Sequence, residues 1–224
     1  MKLAENYRIR KKISGNKIVI VRQNGIEEEV SAIPNLSVTY VGYNSLIVLH
    51  EPFYFNAKIN MTIGENTFIE IGKNFKNIGT INLSTRALNV SIVIGENNCF
   101  DACSIQLCDE NDLEFICGSN CIFANGTYIK VADGHTIFDV NSKKVLNKPS
   151  FGIHIGDHVW IARNASVLKD VEIPDNCIIG AGAMVTKKQF EPNSIIAGVP
   201  AKTIRTGVNW DPHKIFQYET LNPN

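Results

Sequence analysis

His135 lies in the stretch Val131-Ala132-Asp133-Gly134-His135-Thr136, with a glycine before it and no regular pattern after it. An imidazole with an ordinary pKa of about 6.5 exchanges a proton near neutral pH, which suits it to take one from an attacking hydroxyl. The same position suits a loop histidine bonded to backbone, and the residues alone leave both readings open. A catalytic imidazole needs a partner on its other nitrogen to fix the tautomer. Asp133 and Asp139 stand close in sequence, and each reads equally well as a solvated turn carboxylate. Lys187, Lys188, Lys202 and Arg205 are cations suited to anionic groups, or simply to solvent. The six cysteines, at 99, 103, 108, 117, 121 and 177, contain no CxxC pair, and the one HxxxH pair, His154 and His158, is far from them. They read as reduced thiols acting as small hydrophobes, with no metal expected. His50 and His213 are weaker candidates.

These side chains must be positioned by something, and the period of the chain says what. Ile155, Ile161, Val167, Ile173, Ile179 and Val185 recur every sixth residue and are all β-branched. Val159, Ala165, Val171, Cys177 and Ala183 form a second series of small or β-branched residues. A period of six fits neither a helix nor a plain strand. It is the mark of a repeat, in which short strands joined by turns coil so that one aliphatic per hexapeptide points inward and stacks on the next coil. Trp160 then takes an outward position between inward Val159 and Ile161. An aromatic there either serves a site or packs at a subunit interface.

The expected class is all-β, a solenoid of parallel strands. Residues 1–58 read as an N-terminal β segment, either extra coils or a cap, with a basic stretch at Arg8, Arg10, Lys11 and Lys12 taken as a solvated edge. Residues 59–200 carry the repeat. Ile63-Gly64-Glu65-Asn66 returns as Ile94-Gly95-Glu96-Asn97 and as Ile155-Gly156-Asp157-His158, where Gly and Asn suit corners with positive φ. The period fails at about 131–152, so that segment must leave the coil as a protruding loop, where function tends to sit. Residues 201–224 are a tail or short helix, with Asp211 as N-cap and Pro212 in the first turn. Lys plus Arg and Asp plus Glu both number 22, so bulk charge offers no argument for a nucleic-acid partner. There is no apolar run of spanning length and no apolar leader at the start, and a cytoplasmic location is expected.

Three motifs carry a resemblance: Trp160-Ile161-Ala162; Ile179-Gly180-Ala181-Gly182-Ala183-Met184-Val185-Thr186-Lys187; and Ala197-Gly198-Val199-Pro200-Ala201-Lys202. With Asn120-Cys121-Ile122-Phe123-Ala124-Asn125 and the segment through His135 to Asp139, they resemble the hexapeptide-repeat acyltransferases. The likeness is to the sugar and capsular-polysaccharide O-acetyltransferases, with maltose and galactoside acetyltransferases as relatives. It covers about half the chain and is weak before Ile59.

The resemblance implies a left-handed parallel β-helix, a homotrimer, and sites between subunits that bind acetyl-CoA as co-substrate. It favours His135 as the base that deprotonates a sugar hydroxyl for direct transfer, and it places Trp160 along the acceptor and thioester site. Asp101 lies where relatives carry a polar active-site residue, and joins Asp133 and Asp139 as a partner for the histidine. Ala162, Arg163, Gly180, Ala181, Thr186, Lys187, Lys202 and Arg205 become the acetyl-CoA set, small residues admitting the extended arm and cations meeting its phosphates. Two residues depart from the family: Ala162 stands where glycine is usual, and Arg163 where a small or polar residue is usual. The implied role is acetylation of a sugar hydroxyl in surface-polysaccharide synthesis. N-acetylation of an amino sugar or drug, and a non-catalytic scaffold, are the alternatives.

Overall fold

The aliphatics at 155, 161, 167, 173, 179 and 185 are all buried, and so is the second series, Val159, Ala165, Val171, Cys177 and Ala183. Two positions per hexapeptide therefore face inward, not one. A computed structural model of the chain, which describes residues 14–186 and 188–223, meets this demand with a left-handed parallel β-helix, the expected fold. The basic stretch at Arg8 to Lys12 lies outside the described residues, as does Lys187.

Three sheets form the walls. The first holds β1 (Lys17–Val21), β4 (Leu46–His50), β7 (Phe68–Ile71), β10 (Ser91–Ile94), β13 (Glu114–Cys117), β16 (Gly152–Ile155) and β19 (Val171–Ile173). The second holds β5 (Phe53–Phe55), β8 (Phe75–Asn77), β11 (Cys99–Phe100), β14 (Ile122–Phe123), β17 (Trp160–Ile161), β20 (Ile178–Ile179) and β22 (Ser194–Gly198). The third holds β3 (Leu36–Tyr40), β6 (Ile59–Ile63), β9 (Ile81–Thr85), β12 (Cys103–Gln106), β15 (Thr127–Lys130), β18 (Ser166–Leu168) and β21 (Met184–Val185). From β4 onward the chain visits first, second and third walls in turn. Two antiparallel strands finish the ends, β2 (Glu27–Val30) on β1 and β23 (Ala201–Thr206) on β22. The three glutamates of β2 charge an edge that would otherwise invite pairing.

Register explains why the period shows only late. Ile153 pairs with Val171, which lies three hexapeptides further along the chain. Upstream, Leu46 pairs with Phe68 and Phe68 with Ser91, so each of those coils is longer than three hexapeptides. Glu114 pairs with Gly152, and that much longer turn contains the protruding loop.

Glycine and asparagine divide the work at the corners. Gly95 and Gly118 are needed for close approach: a Cβ on either would stand less than 3 Å from the carbonyl oxygen of the next coil, 2.7 Å at Gly95 and 2.6 Å at Gly118. Positive φ falls instead two residues later, on Asn97, Asn120 and His158, in a column that also contains Asn74, Asn176 and Asn193. Asparagine tolerates that left-handed backbone better than other side chains. It also bonds its neighbour above, Asn74 Nδ2 donating to Asn97 Oδ1 at 2.8 Å. Another corner repeats the device, with Asn66 donating to Asn89 and Asn89 to Asp112.

The tail helix α1 (Ile215–Leu221) has Lys214 as its N-cap residue, whose N–H donates to Gln217 Oε1 at 3.1 Å. This corrects the expected cap at Asp211, whose carboxylate is taken by His213 instead. No helix among the described residues is long and apolar enough to cross a membrane.

Inside the second wall, Phe75, Phe100 and Phe123 form an aromatic ladder, the last pair stacked at 4.0 Å and 12°. All three are buried. Phe100→Ala should cost about 3–5 kcal/mol through the cavity it leaves. Thermal unfolding checks this, and an unchanged Tm would show that the ladder carries no such stability.

Candidate active site

The segment between β15 and β16 is an ordered hairpin, not a slack loop. Phe138 pairs with Val145 across it, and Leu146 N–H donates to Ile137 O at 2.8 Å. Asp139 closes the tip by accepting from Ser142 N–H at 2.7 Å, Ser142 Oγ at 2.9 Å and Asn141 N–H at 3.1 Å. Those bonds, the Ser142 N–H first, hold its pKa below the usual carboxylate value. At the base, Asn147 donates to Asp133 Oδ2 and to His135 O, both at 2.8 Å, and accepts from Ile137 N–H at 2.8 Å. Lys169 donates to Asp133 and to Asn147 O. Asp170 accepts from Ser150 N–H at 2.7 Å and Phe151 N–H at 3.2 Å, fixing the return into the coil.

His135 is exposed on this frame, held by its backbone at the corner between the third and first walls. Its neighbours in sequence are committed elsewhere: Asp139 to the turn, and Asp133 to Lys169 and Asn147. Neither carboxylate bonds the His135 ring within the chain, so the structure brings neither to the role of orienting partner. Asp101 sits at a different corner, between the second and third walls, where it accepts from Ala102 N–H at 2.7 Å.

That second-to-third corner gathers most of the remaining set into one column. Ala162 and Arg163 stand above Asn125, since Asn164 N–H donates to Asn125 O at 3.0 Å. Gly180, Ala181 and Gly182 come next, with Gly182 N–H donating to Arg163 O at 2.9 Å. The top of the column is open. Gly182 has φ +67° and nothing within 4 Å of where a Cβ would stand, and Ala181 is exposed. Gly180, in contrast, is packed, because a Cβ there would meet the Ala197 methyl at 2.7 Å.

Trp160 lies beside this column on the second wall, 39% exposed. Cross-strand register sets Trp160 opposite Ile178, Ile178 opposite Ile195, and Ile195 opposite Arg205. One outward line therefore runs from an indole over two half-buried isoleucines to a guanidinium, spanning about 14 Å at the usual strand spacing. Lys202 is exposed on the same final strand, and neither it nor Arg205 enters an ion pair among the described residues. Thr186 stands apart, at the other end of β21 from Gly182.

Three residues that position the site escaped the sequence reading. Asn147 and Lys169 anchor the hairpin across 14 and 36 residues of chain. Trp210 returns from the tail to stack on His158, ring centroids 4.3 Å apart at 10°, and lies 6.0 Å from Trp160. Only the rarity of tryptophan, two in the chain, pointed to it. Burial pushes the Cys103 thiol up to about 12 and raises that of Cys117 well above its ordinary value, so these two stay un-ionised. Among the described residues no three His, Cys, Asp or Glu side chains converge as a metal set.

Galactoside O-acetyltransferase of Escherichia coli (strain K12) is 33% identical over 156 residues, which are 70% of this chain and 68% of that protein. Residues 152–187 match the family described as bacterial transferase hexapeptide (six repeats). The chain belongs to the hexapeptide-repeat transferases. Another member, polysialic acid O-acetyltransferase of Escherichia coli O1:K1 / APEC, is 30% identical over 143 residues, 64% of this chain and 44% of its own length. Among solved structures, the polySia-specific acetyltransferase NeuO shares the hexapeptide-repeat fold at a TM-score of 0.68 and 24% identity, over 89% of this chain and 80% of its own. The polysialic acid O-acetyltransferase OatWY shares it at 0.54 and 21%, over 92% and 97%.

Within this transferase the hairpin base responds to pH in a defined direction. The Lys169 ammonium, and after it the Asn147 amide, hold the Asp133 pKa below its ordinary value. A carboxylate depressed by folding supports the folded hairpin fully above its ordinary pKa, and the support is lost as pH falls through the lowered one. Amide protection at Ile137 should therefore hold from neutral pH down to about 4 and fall only in stronger acid. Lys169→Met should remove that protection already at pH 7. Protection unchanged in Lys169→Met by hydrogen exchange would show that the hairpin does not depend on this anchor.

Proposed function

We propose that this chain is an acetyl-CoA-dependent O-acetyltransferase that acts on a sugar hydroxyl in surface-polysaccharide synthesis, working as a homotrimer in the cytoplasm. One observation carries the reading. The hairpin exposes His135 at the corner between third and first walls, and Trp160 lies on the second wall, which is the side of the triangle opposite that corner. A base and an N–H donor on opposite sides of a solenoid meet when the hairpin of one copy lies against the wall of the next. Cyclic association of identical copies provides this, each copy giving the same two surfaces.

The sugar acceptor is supported by the two relatives named for galactoside and polysialic acid. The cytoplasm is supported by six free cysteines, which suit a reducing compartment. The residues present also fit acetyl-CoA. The open shelf at Ala181 and Gly182 admits an extended chain to backbone, Ile178 and Ile195 offer it an apolar lane, and Arg205 and Lys202 supply cations for phosphates at the far end. Arg163 borders the shelf and is exposed, so it leaves the lane clear.

Acetyl-CoA supplies an activated acetyl group when bound. His135 would take the proton from the acceptor hydroxyl as that oxygen attacks the acetyl carbonyl, and would return it to the sulfur that leaves as the carbon–sulfur bond breaks. The Trp160 indole N–H donates to the negative charge that develops. No Ser or Cys nucleophile takes part.

His135→Ala should lower turnover by about 10²–10⁴-fold with the fold intact. Radiolabelled acetyl transfer across hydroxyl and amine acceptors measures this. Transfer to amines alone would replace the hydroxyl reading with N-acetylation, and no affinity for acetyl-CoA by calorimetry would leave a scaffold. His135→Ala and Trp160→Ala chains, each inactive alone, should regain activity when co-assembled, because some interfaces then carry both wild-type residues. No recovery would place both residues in one chain's site.

A further inference from the structure

The tail does more than close the solenoid. From β23 the chain passes back over β22 and β20 to reach β17, three strand spacings or about 14 Å. Only residues 207–209 lie between Thr206 and Trp210; the chain turns at Gly207, φ +69°, and Val208 N–H donates to Asn193 O at 3.0 Å, so the long indole side chain makes the last part of the reach. It delivers Trp210 to a fixed place. The indole Nε1 donates to His158 O at 2.8 Å, and the ring stacks on the His158 imidazole. His158 itself is set by the corner column, where it stands among asparagines with φ +56° and donates from Nδ1 to Asn176 Oδ1 at 3.0 Å. The substitution of histidine in a column of asparagines gives Trp210 a flat surface to rest on.

Between this corner and helix α1 lies a cleft of about 930 Å³, lined by Trp210 and Tyr218 and by the polar side chains of Asn209, Asp211, Glu219 and Asn222. Its size has room for a ligand of two sugar rings. The lining combines aromatic faces with amide and carboxylate groups, contains no Lys or Arg, and includes the imidazoles of His158 and His213, the second bonded to Asp211 at 2.6 Å. Carboxylates accept bonds from sugar hydroxyls, and they repel carboxylate or phosphate groups. The cleft is continuous with Trp160 through Trp210.

We propose that this tail cleft is the acceptor subsite, holding a neutral or amino-bearing glycan unit against Trp210 so that its neighbour presents a hydroxyl near Trp160. The inference rests on the sugar O-acetyltransferase reading and narrows it: the cleft's carboxylates disfavour anionic glycans, Glu219 above all, since Asp211 is bonded to His213. Trp210 is a specificity residue, separate from the line that ends at Arg205.

The test uses the full chain with three acceptors: a neutral disaccharide glycoside, an amino-sugar disaccharide, and a sialic acid oligomer. Trp210→Ala should raise the KM for the neutral disaccharide about tenfold, the worth of one good ring contact, and leave the KM for acetyl-CoA within about twofold. Trp210→Phe should restore most of the loss. Asp211→Asn with Glu219→Gln should improve use of the sialic acid oligomer relative to the neutral one. Calorimetric binding of the neutral disaccharide without acetyl-CoA gives a readout independent of turnover, and Trp210→Ala should weaken it by the same factor of about ten. If Trp210→Ala does not fold, Tyr218→Ala serves in its place, with a smaller rise in the same KM. Acetyl transfer to sugars with acceptor KM and binding unmoved by Trp210 and Tyr218 would overturn the subsite and leave the proposed function standing. Preference of the wild type for the sialic acid oligomer would overturn it as well. Disaccharide binding weakened in Trp210→Ala, with no acetyl transferred to any sugar, would keep the subsite and sink the O-acetyltransferase reading.

Discussion

Close approach between successive coils is the constraint on which the rest of this structure depends. At Gly95 and Gly118 there is no room for a Cβ against the next coil's carbonyl. Around these contacts each residue sits over its equivalent one coil away, aliphatic on aliphatic inside and asparagine on asparagine at the corners. Such stacking allows substitution within a column but not insertion within a strand, because one extra residue would turn every later side chain to the other face. Extra residues can leave only at corners. The longer upstream coils place their surplus there, and the turn from Glu114 to Gly152 places a whole hairpin there.

The same constraint governs how the hairpin is held. A loop emerging from a rigid corner would gain little order from the coil alone. Here the next coil contributes Lys169 and Asp170 at the equivalent corner, and these two side chains clamp the outgoing and returning strands of the hairpin. Asp170 has the positive φ typical of the corner columns, so the clamp is a column residue with a changed task. His135 thereby inherits the rigidity of the solenoid without being part of it. Its ring is left exposed, and the exposed apolar side chains nearby on the hairpin, Ile137, Phe138, Val140, Val145 and Leu146, form a patch of the kind that marks an interface.

What could be read from sequence follows from where the stacking is strict. Between 152 and 187 coils are three hexapeptides long, and there the period, the inward series and the outward place of Trp160 were all legible. Upstream the added corner residues hide the period, although residues 17–55 supply strands to the same three walls. The corner glycines were legible as corners but for the wrong reason, since contact requires them and the asparagines carry the positive φ. His135 could be found because it breaks a pattern. Its relation to Asp133 and Asp139 could not, because sequence proximity says nothing of Lys169, which comes from the next coil and claims one of them. Trp210 was hidden for the same reason: its partner His158 is 52 residues distant and lies in a column whose rule was not yet visible.

Unlike residues within like columns mark where the solenoid makes contacts outside its own stacking. Trp160 stands in an outward line with Cys99, Ile122, Ile178 and Ile195. His158 stands in a line of asparagines, and Asp170, next to Val171 in the register, stands in line with Gly152 and Glu114. A column position is structurally satisfied by its usual residue at little cost, so an exception must be tolerated by something new. For His158 that is the indole of Trp210, and for Asp170 it is the backbone of Ser150 and Phe151. For Trp160 the chain itself supplies only the edge of Trp210, 6.0 Å away and tilted by 47°. The remaining face is open to solvent.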